Sequence, residues 1–121
     1  MNIKKVVFVI PTKDEETTIE KIIIGLRLES KKNNLEILSI IVADDSVDST
    51  RSIAKSLGAD IIDGGGRGLG EAMYRGLKSA CELDTDYIVS VDADGQTEIT
   101  ELGNLVHPLQ NNTADMILTS R

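Results

Sequence analysis

Asp92 and Asp94 stand two residues apart in "DADGQ" (92–96), directly after the apolar run "YIVSV" (87–91). In extended chain, residues i and i+2 point to the same side. The pair can therefore offer oxygens to one hard cation, Mg2+ or Mn2+. Such an ion keeps part of its water shell and bridges carboxylates to phosphate oxygens. A lone D-x-D is also the composition of a turn, and an acid near a helix start stabilises that helix. An EF-hand register fails. Counted from Asp92, the position that requires Gly is Thr97 and the one that requires Glu is Gly103.

Three further groups share this ambiguity. In "DDS" (44–46), Asp44 or Asp45 could accept hydrogen bonds from a nucleobase or ribose, or cap the helix that follows. In "PTKDEE" (11–16), Thr12 and Glu15 fit a capping box, and Glu15 could equally turn toward a ligand. "GGGRGLG" (64–70) is neither a Walker A loop nor a G-x-G-x-x-G dinucleotide loop, because Glu71 stands where each pattern needs another residue. It still suits a loop that lets backbone approach a ligand, with Arg67 available for a phosphate or an acid. Cys81 lies at helical spacing from Leu77 and reads as packing, and His107 is the single histidine and receives no role.

The elements that must position these groups alternate. "IKKVVFVI" (3–10), "EILSIIVA" (36–43), "ADII" (59–62), "YIVSV" (87–91) and "DMIL" (115–118) read as strands, the first stopped by Pro11. Between them, apolar residues recur at helical spacing. Ile19, Ile22, Ile23 and Leu26 predict a helix from about Glu15. Ile53, Ala54 and Leu57 predict a second, opened by Asp48 or Ser49 and ended by Gly58. Leu69, Ala72, Met73, Gly76, Leu77 and Ala80 predict a third, and Ile99 to Leu109 a fourth, ending near Pro108. Continuous apolar strands alternating with helices imply a parallel sheet covered on both faces. The expected fold is α/β, a mostly parallel, doubly wound sheet in a three-layer sandwich. Its ligand belongs outside the carboxyl ends of the strands, where strand order reverses. The acidic groups follow strands one, two and four, so they gather at that edge, which helix capping alone does not require.

The chain has 121 residues, enough for one domain over residues 1–121, and its 2% aromatic content calls for an aliphatic core. The net charge of −7 disfavours nucleic acid or anionic lipid as a nonspecific partner. A metal or backbone N–H groups could still supply local positive potential to an anion. The single Cys81 suits a reducing compartment. No run approaches membrane-spanning length, and the basic start ends in Pro and acids rather than in a cleavage site.

"VVFVIPTKDEE", "IIVADDSVDST", "GRGLGEAMYRG", "YIVSVDADGQ" and the closing "TSR" occur in the order and spacing of family 2 glycosyltransferases of the GT-A, Rossmann-like fold. The chain most resembles the dolichol- or polyprenol-phosphate sugar (mannose) synthases, over its whole length. That resemblance implies a nucleotide-sugar site lined by Pro11, Lys13, Glu15, Asp44, Asp45, Arg67, Asp92, Ala93, Gln96 and Arg121. Asp92 and Asp94 would be the catalytic D-x-D pair. With Gln96 beside them, they would hold Mg2+ or Mn2+ against the donor diphosphate. Lys13 departs from the aromatic residue, and Asp14 from the asparagine, that the family often carries there. The family's catalytic domain continues well beyond "TSR", so the chain resembles its nucleotide-binding half and is truncated relative to it.

The activity implied is transfer of a sugar from a GDP- or UDP-sugar to a polyprenyl (dolichyl) phosphate. The place implied is the cytoplasm, at the cytoplasmic membrane face. A homo-oligomer would cover the edge left exposed by a half-domain. The alternative is a noncatalytic or incomplete nucleotide-sugar-binding module. A response-regulator receiver fits poorly, because it needs an acceptor Asp after strand three and a Lys after strand five, where this chain has glycine and "TSR".

Overall fold

The computed structural model describes residues 3–91 and 116–118. The predicted fourth helix lies outside the described residues. The chain runs β1 (Lys4–Thr12), α1 (Ile19–Lys32), β2 (Leu35–Asp44), α2 (Thr50–Ser56), β3 (Asp60–Asp63), α3 (Leu69–Ala80), β4 (Tyr87–Ser90) and β5 (Met116–Leu118). The five strands form one sheet in the order β3-β2-β1-β4-β5, and every neighbouring pair is parallel. Strand order therefore reverses between β1 and β4, as a doubly wound sheet requires.

Side-chain alternation divides β1 between two layers. Val6, Phe8 and Ile10 face one way and pack with Ile19, Ile22, Ile23 and Leu26 of α1 and Ala54 of α2. Val7 and Val9 face the other way and meet Met73, Leu77 and Ala80 of α3. The sandwich therefore has three layers around an almost wholly aliphatic core. Phe8 and Tyr87 are its only buried aromatic residues among those described. Gly76 lets α3 lie close on β1, because a Cβ there would overlap Val9 Cγ1.

Two boundaries differ from the sequence expectation, those of β1 and α1, and the start of α2 follows it. β1 runs through Pro11 to Thr12. Its ladder with β2 continues to Thr12 and Asp44, whereas its ladder with β4 ends at Val9 and Ser90. The proline thus lies past the last β4 rung, where a missing donor costs little. α1 starts at Ile19, a turn later than expected. Thr12 does not cap it, because its hydroxyl turns inward. Ser49 occupies the N-cap of α2 without a side-chain cap bond. Asp48 does that work, its Oδ1 accepting the Thr50 N–H at 2.9 Å. Gly58, at φ 89°, ends α2 as expected. No helix among the described residues is long and apolar enough to cross a membrane.

Candidate nucleotide-sugar site

The carboxyl ends of β1, β2 and β3 meet at one edge of the sheet. Asp44, the last residue of β2, is fully buried there. Its Oδ1 accepts the Thr12 hydroxyl from β1 at 2.6 Å. Its Oδ2 accepts Arg51 Nε from α2 at 3.1 Å and the Ser46 N–H at 3.2 Å. Arg51 Nη2 also reaches the Asp44 carbonyl, at 3.2 Å. The Gly64 N–H, just past β3, donates to that same carbonyl at 3.0 Å. One residue thus ties together β1, α2 and the glycine loop. Burial by itself raises the Asp44 pKa, but hydrogen bonds from Ser46, Thr12 and Arg51 outweigh it and hold the carboxyl below its ordinary value.

Asp45 faces the other way. Its N–H donates to the Thr12 carbonyl at 3.0 Å, and its Oδ1 accepts the Gly66 N–H at 2.8 Å. Its Oδ2 is buried and has no hydrogen-bond partner. A Cβ at Gly64 would lie 2.7 Å from that oxygen, so a side chain there would displace the Asp45 carboxylate. Gly65, Gly66 and Gly68 have φ of 98°, 75° and 102°, values that favour glycine. The Gly65 N–H donates to Asp63 Oδ1 at 3.0 Å. The N–H groups of Gly64, Gly65 and Gly66 are therefore all engaged by protein acceptors. The loop is built around carboxylates and does not form an open cradle for phosphate.

A second set of bonds locks the loop after β1 to the loop after β2. Asp14, at φ 57°, accepts the Val47 N–H on Oδ1 at 2.8 Å, and its own N–H donates to Ser46 Oγ at 2.7 Å. The Glu15 N–H donates to Thr50 Oγ1 at 2.8 Å, and Glu16 Oε1 accepts the Ser49 N–H at 2.9 Å. Thr50 Oγ1 in turn donates to Asp48 Oδ1.

Of the residues expected at the site, the structure brings Pro11, Lys13, Glu15, Asp44 and Asp45 to this edge, with Arg67 on the glycine loop. Pro11 is buried, Glu15 is half-buried, and Lys13 and Arg67 are exposed. Asp44 works inward, with both carboxylate oxygens taken by the protein. Asp92, Ala93, Asp94, Gln96 and Arg121 lie outside the described residues. Val91, immediately before Asp92, still runs beside β1 and donates to the Val9 carbonyl at 2.9 Å.

Sequence inspection overlooks Thr12 as a network member, Asp14 and Arg51. The signal for Arg51 is electrostatic. A cation in the first turn of a helix opposes the macrodipole, and α2 has no acid in that turn to offset it, which makes a partner from elsewhere in the fold favourable.

Comparison with known proteins agrees with this fold. The chain is 29% identical, over 98% of its length, to the UDP-N-acetylglucosamine–dolichyl-phosphate N-acetylglucosaminyltransferase of Methanococcus voltae, of which it covers 52%. It is 36% identical, over 93% of its length, to the low-salt glycan biosynthesis hexosyltransferase Agl6 of Haloferax volcanii, of which it covers 26%. The chain thus spans about half or less of the curated relatives it matches. Among solved structures, glucosyl-3-phosphoglycerate synthase from Mycobacterium tuberculosis, in complex with Mn2+, UDP and glucosyl-3-phosphoglycerate, superposes with a TM-score of 0.69 at 27% identity. That match covers 90% of this chain and 40% of the other. The model of glycosyl transferase family 2 matches residues 7–121, and the chain belongs to that family.

Proposed function

We propose that this chain forms the nucleotide-sugar-binding part of a metal-dependent glycosyltransferase that moves a sugar from a nucleoside diphosphate to a polyprenyl phosphate or a related phosphate acceptor. The convergence at the sheet edge supports it most directly. Glu15, Asp45 and the glycine loop gather on the edge where the fold binds ligands, and Asp45 keeps one buried carboxylate oxygen without a partner. A buried acceptor left unsatisfied costs about 1–3 kcal/mol. A ribose hydroxyl or a nucleobase N–H would satisfy it.

The residues suit that donor. Asp45 orients the nucleoside, and Glu15 lies in the loop that follows β1 at the same sheet edge. Lys13, Arg67 and Arg121 supply cationic contacts to phosphate. Asp92, Asp94 and Gln96 offer the hard oxygen donors that Mg2+ or Mn2+ takes. The cation, when bound, neutralises charge that develops on the departing diphosphate. A phosphate acceptor is already an anion and needs little help from a general base. The relatives point toward UDP over GDP. The Methanococcus enzyme is named for a UDP-sugar and dolichyl phosphate, and the mycobacterial structure holds UDP with Mn2+. A polyprenyl phosphate acceptor would put the working enzyme at a membrane face. Cys81, a free thiol, suits the reducing cytoplasmic side.

Calorimetry with UDP and with GDP, each with and without Mn2+, tests the proposal. Mn2+ is expected to tighten UDP binding by about tenfold or more, the scale of one hydrogen bond to a charged group. Asp92→Asn and Asp94→Asn are expected to abolish that gain without lowering the melting temperature. Equal affinity with and without metal would rule out the metal-held diphosphate. The alternative reading is a noncatalytic or incomplete nucleotide-sugar-binding module. Metal-dependent UDP binding without sugar transfer to a polyprenyl phosphate would select it.

A further inference from the structure

Arg51 does not reach the ligand edge by sequence pattern, yet it holds the residue on which that edge depends. Its guanidinium grips Asp44 twice, Nε on the carboxylate at 3.1 Å and Nη2 on the carbonyl at 3.2 Å. The Gly64 N–H shares the gripped carbonyl, and Thr12 shares the gripped carboxylate. Asp45 is the next residue, and its backbone is pinned to the Thr12 carbonyl. Both segments that flank Asp45 Oδ2, the end of β2 and the start of the glycine loop, are therefore referenced to Asp44. The Arg51 side chain remains 54% exposed. The carboxylate it holds is fully buried, so Arg51 supplies stability as well as position, and the two are separated only by reading ligand affinity beside the melting temperature.

On the nucleotide-binding reading of Asp45, we propose that Arg51 is a positioning residue. Its two-point hold on Asp44 sets the direction of the Asp45 carboxylate and its spacing from the glycine loop, and so sets nucleotide affinity. Lysine cannot replace it, because a single ammonium cannot reproduce a planar two-donor contact. Thr12 is expected to act through the same carboxylate.

A double-mutant cycle on UDP binding in the presence of Mn2+ tests this, with melting temperatures taken alongside. Asp45→Asn is expected to weaken UDP binding. Arg51→Met and Arg51→Lys are each expected to weaken it by about tenfold while the protein stays folded, and to have almost no further effect in the Asp45→Asn background. That coupling would move with Thr12→Val as well. A merely structural ion pair would lower the melting temperature and leave UDP affinity unchanged. That outcome, with Asp45→Asn still defective, overturns the role of Arg51 alone. If Asp45→Asn binds UDP like the parent, the nucleotide assignment of Asp45 falls first, and the role of Arg51 falls with it. If Arg51→Met does not fold, Arg51→Lys and Thr12→Val carry the same cycle.

Discussion

Asp44 and Asp45 are adjacent and chemically identical, yet they do opposite work. Strand alternation separates them: Asp44 shares the face of Ile40 and Val42, which α1 and α2 cover, and Asp45 points toward the glycine loop. Asp44→Asn should therefore destabilise the fold by about 1–3 kcal/mol, because a buried amide cannot accept all three donors that converge on the carboxylate. Its pH dependence has a definite sign. The folded-state pKa lies below the unfolded one, so the stabilisation is present above the unfolded pKa of about 4 and is lost as pH falls through the folded value. Thermal melts of the parent should drop steeply below about pH 4, and the Asp44→Asn protein should show a shallower drop over that range. An unchanged acid slope would mean that other carboxylates dominate. The acid pair was legible in the sequence as a strand-end group. The buried member was not, because alternation assigns faces without saying which face a helix will cover.

The elements were the most readable level. Aliphatic runs predicted all five described strands, and helical spacing predicted all three described helices, with ends shifted by tertiary contacts. α1 starts late because the N–H groups of residues 14–16 are taken by Ser46, Thr50 and Asp48 from the neighbouring loop. A sequence window contains no such partner, since it lies about 32–35 residues away along the chain. Gly76 shows the same limit. On sequence it is a poor helix residue, costing about 1 kcal/mol against alanine. In the fold it is a point of close approach between α3 and β1. Gly76→Ala should therefore lower the melting temperature in spite of better helix propensity, overpacking costing about 1–3 kcal/mol. Its effect should shrink in a Val9→Ala background, because the removed Val9 methyls are what the new Cβ would meet. A rise in melting temperature on Gly76→Ala alone would show that the helix can shift away at no cost.

At the scale of the whole molecule, charge governs what the site can take. A chain of net charge −7 with acids gathered at its binding edge repels a nucleotide diphosphate unless a cation intervenes. UDP affinity measured without divalent metal should therefore rise with ionic strength, as screening weakens the repulsion. A fall would indicate that Lys13, Arg67 and other cations dominate the approach. The sequence by itself determined the fold class, the strand and helix order and the edge where the acids collect, because those follow from local periodicity and from the polar residues that close each strand. Only the tertiary structure decided which carboxylate is buried as a tie and which keeps one oxygen without a protein partner. It also recruited Arg51, Thr12 and Asp14 to hold them, because those choices depend on hydrogen-bond partners that only the packed sheet brings within 3 Å or so.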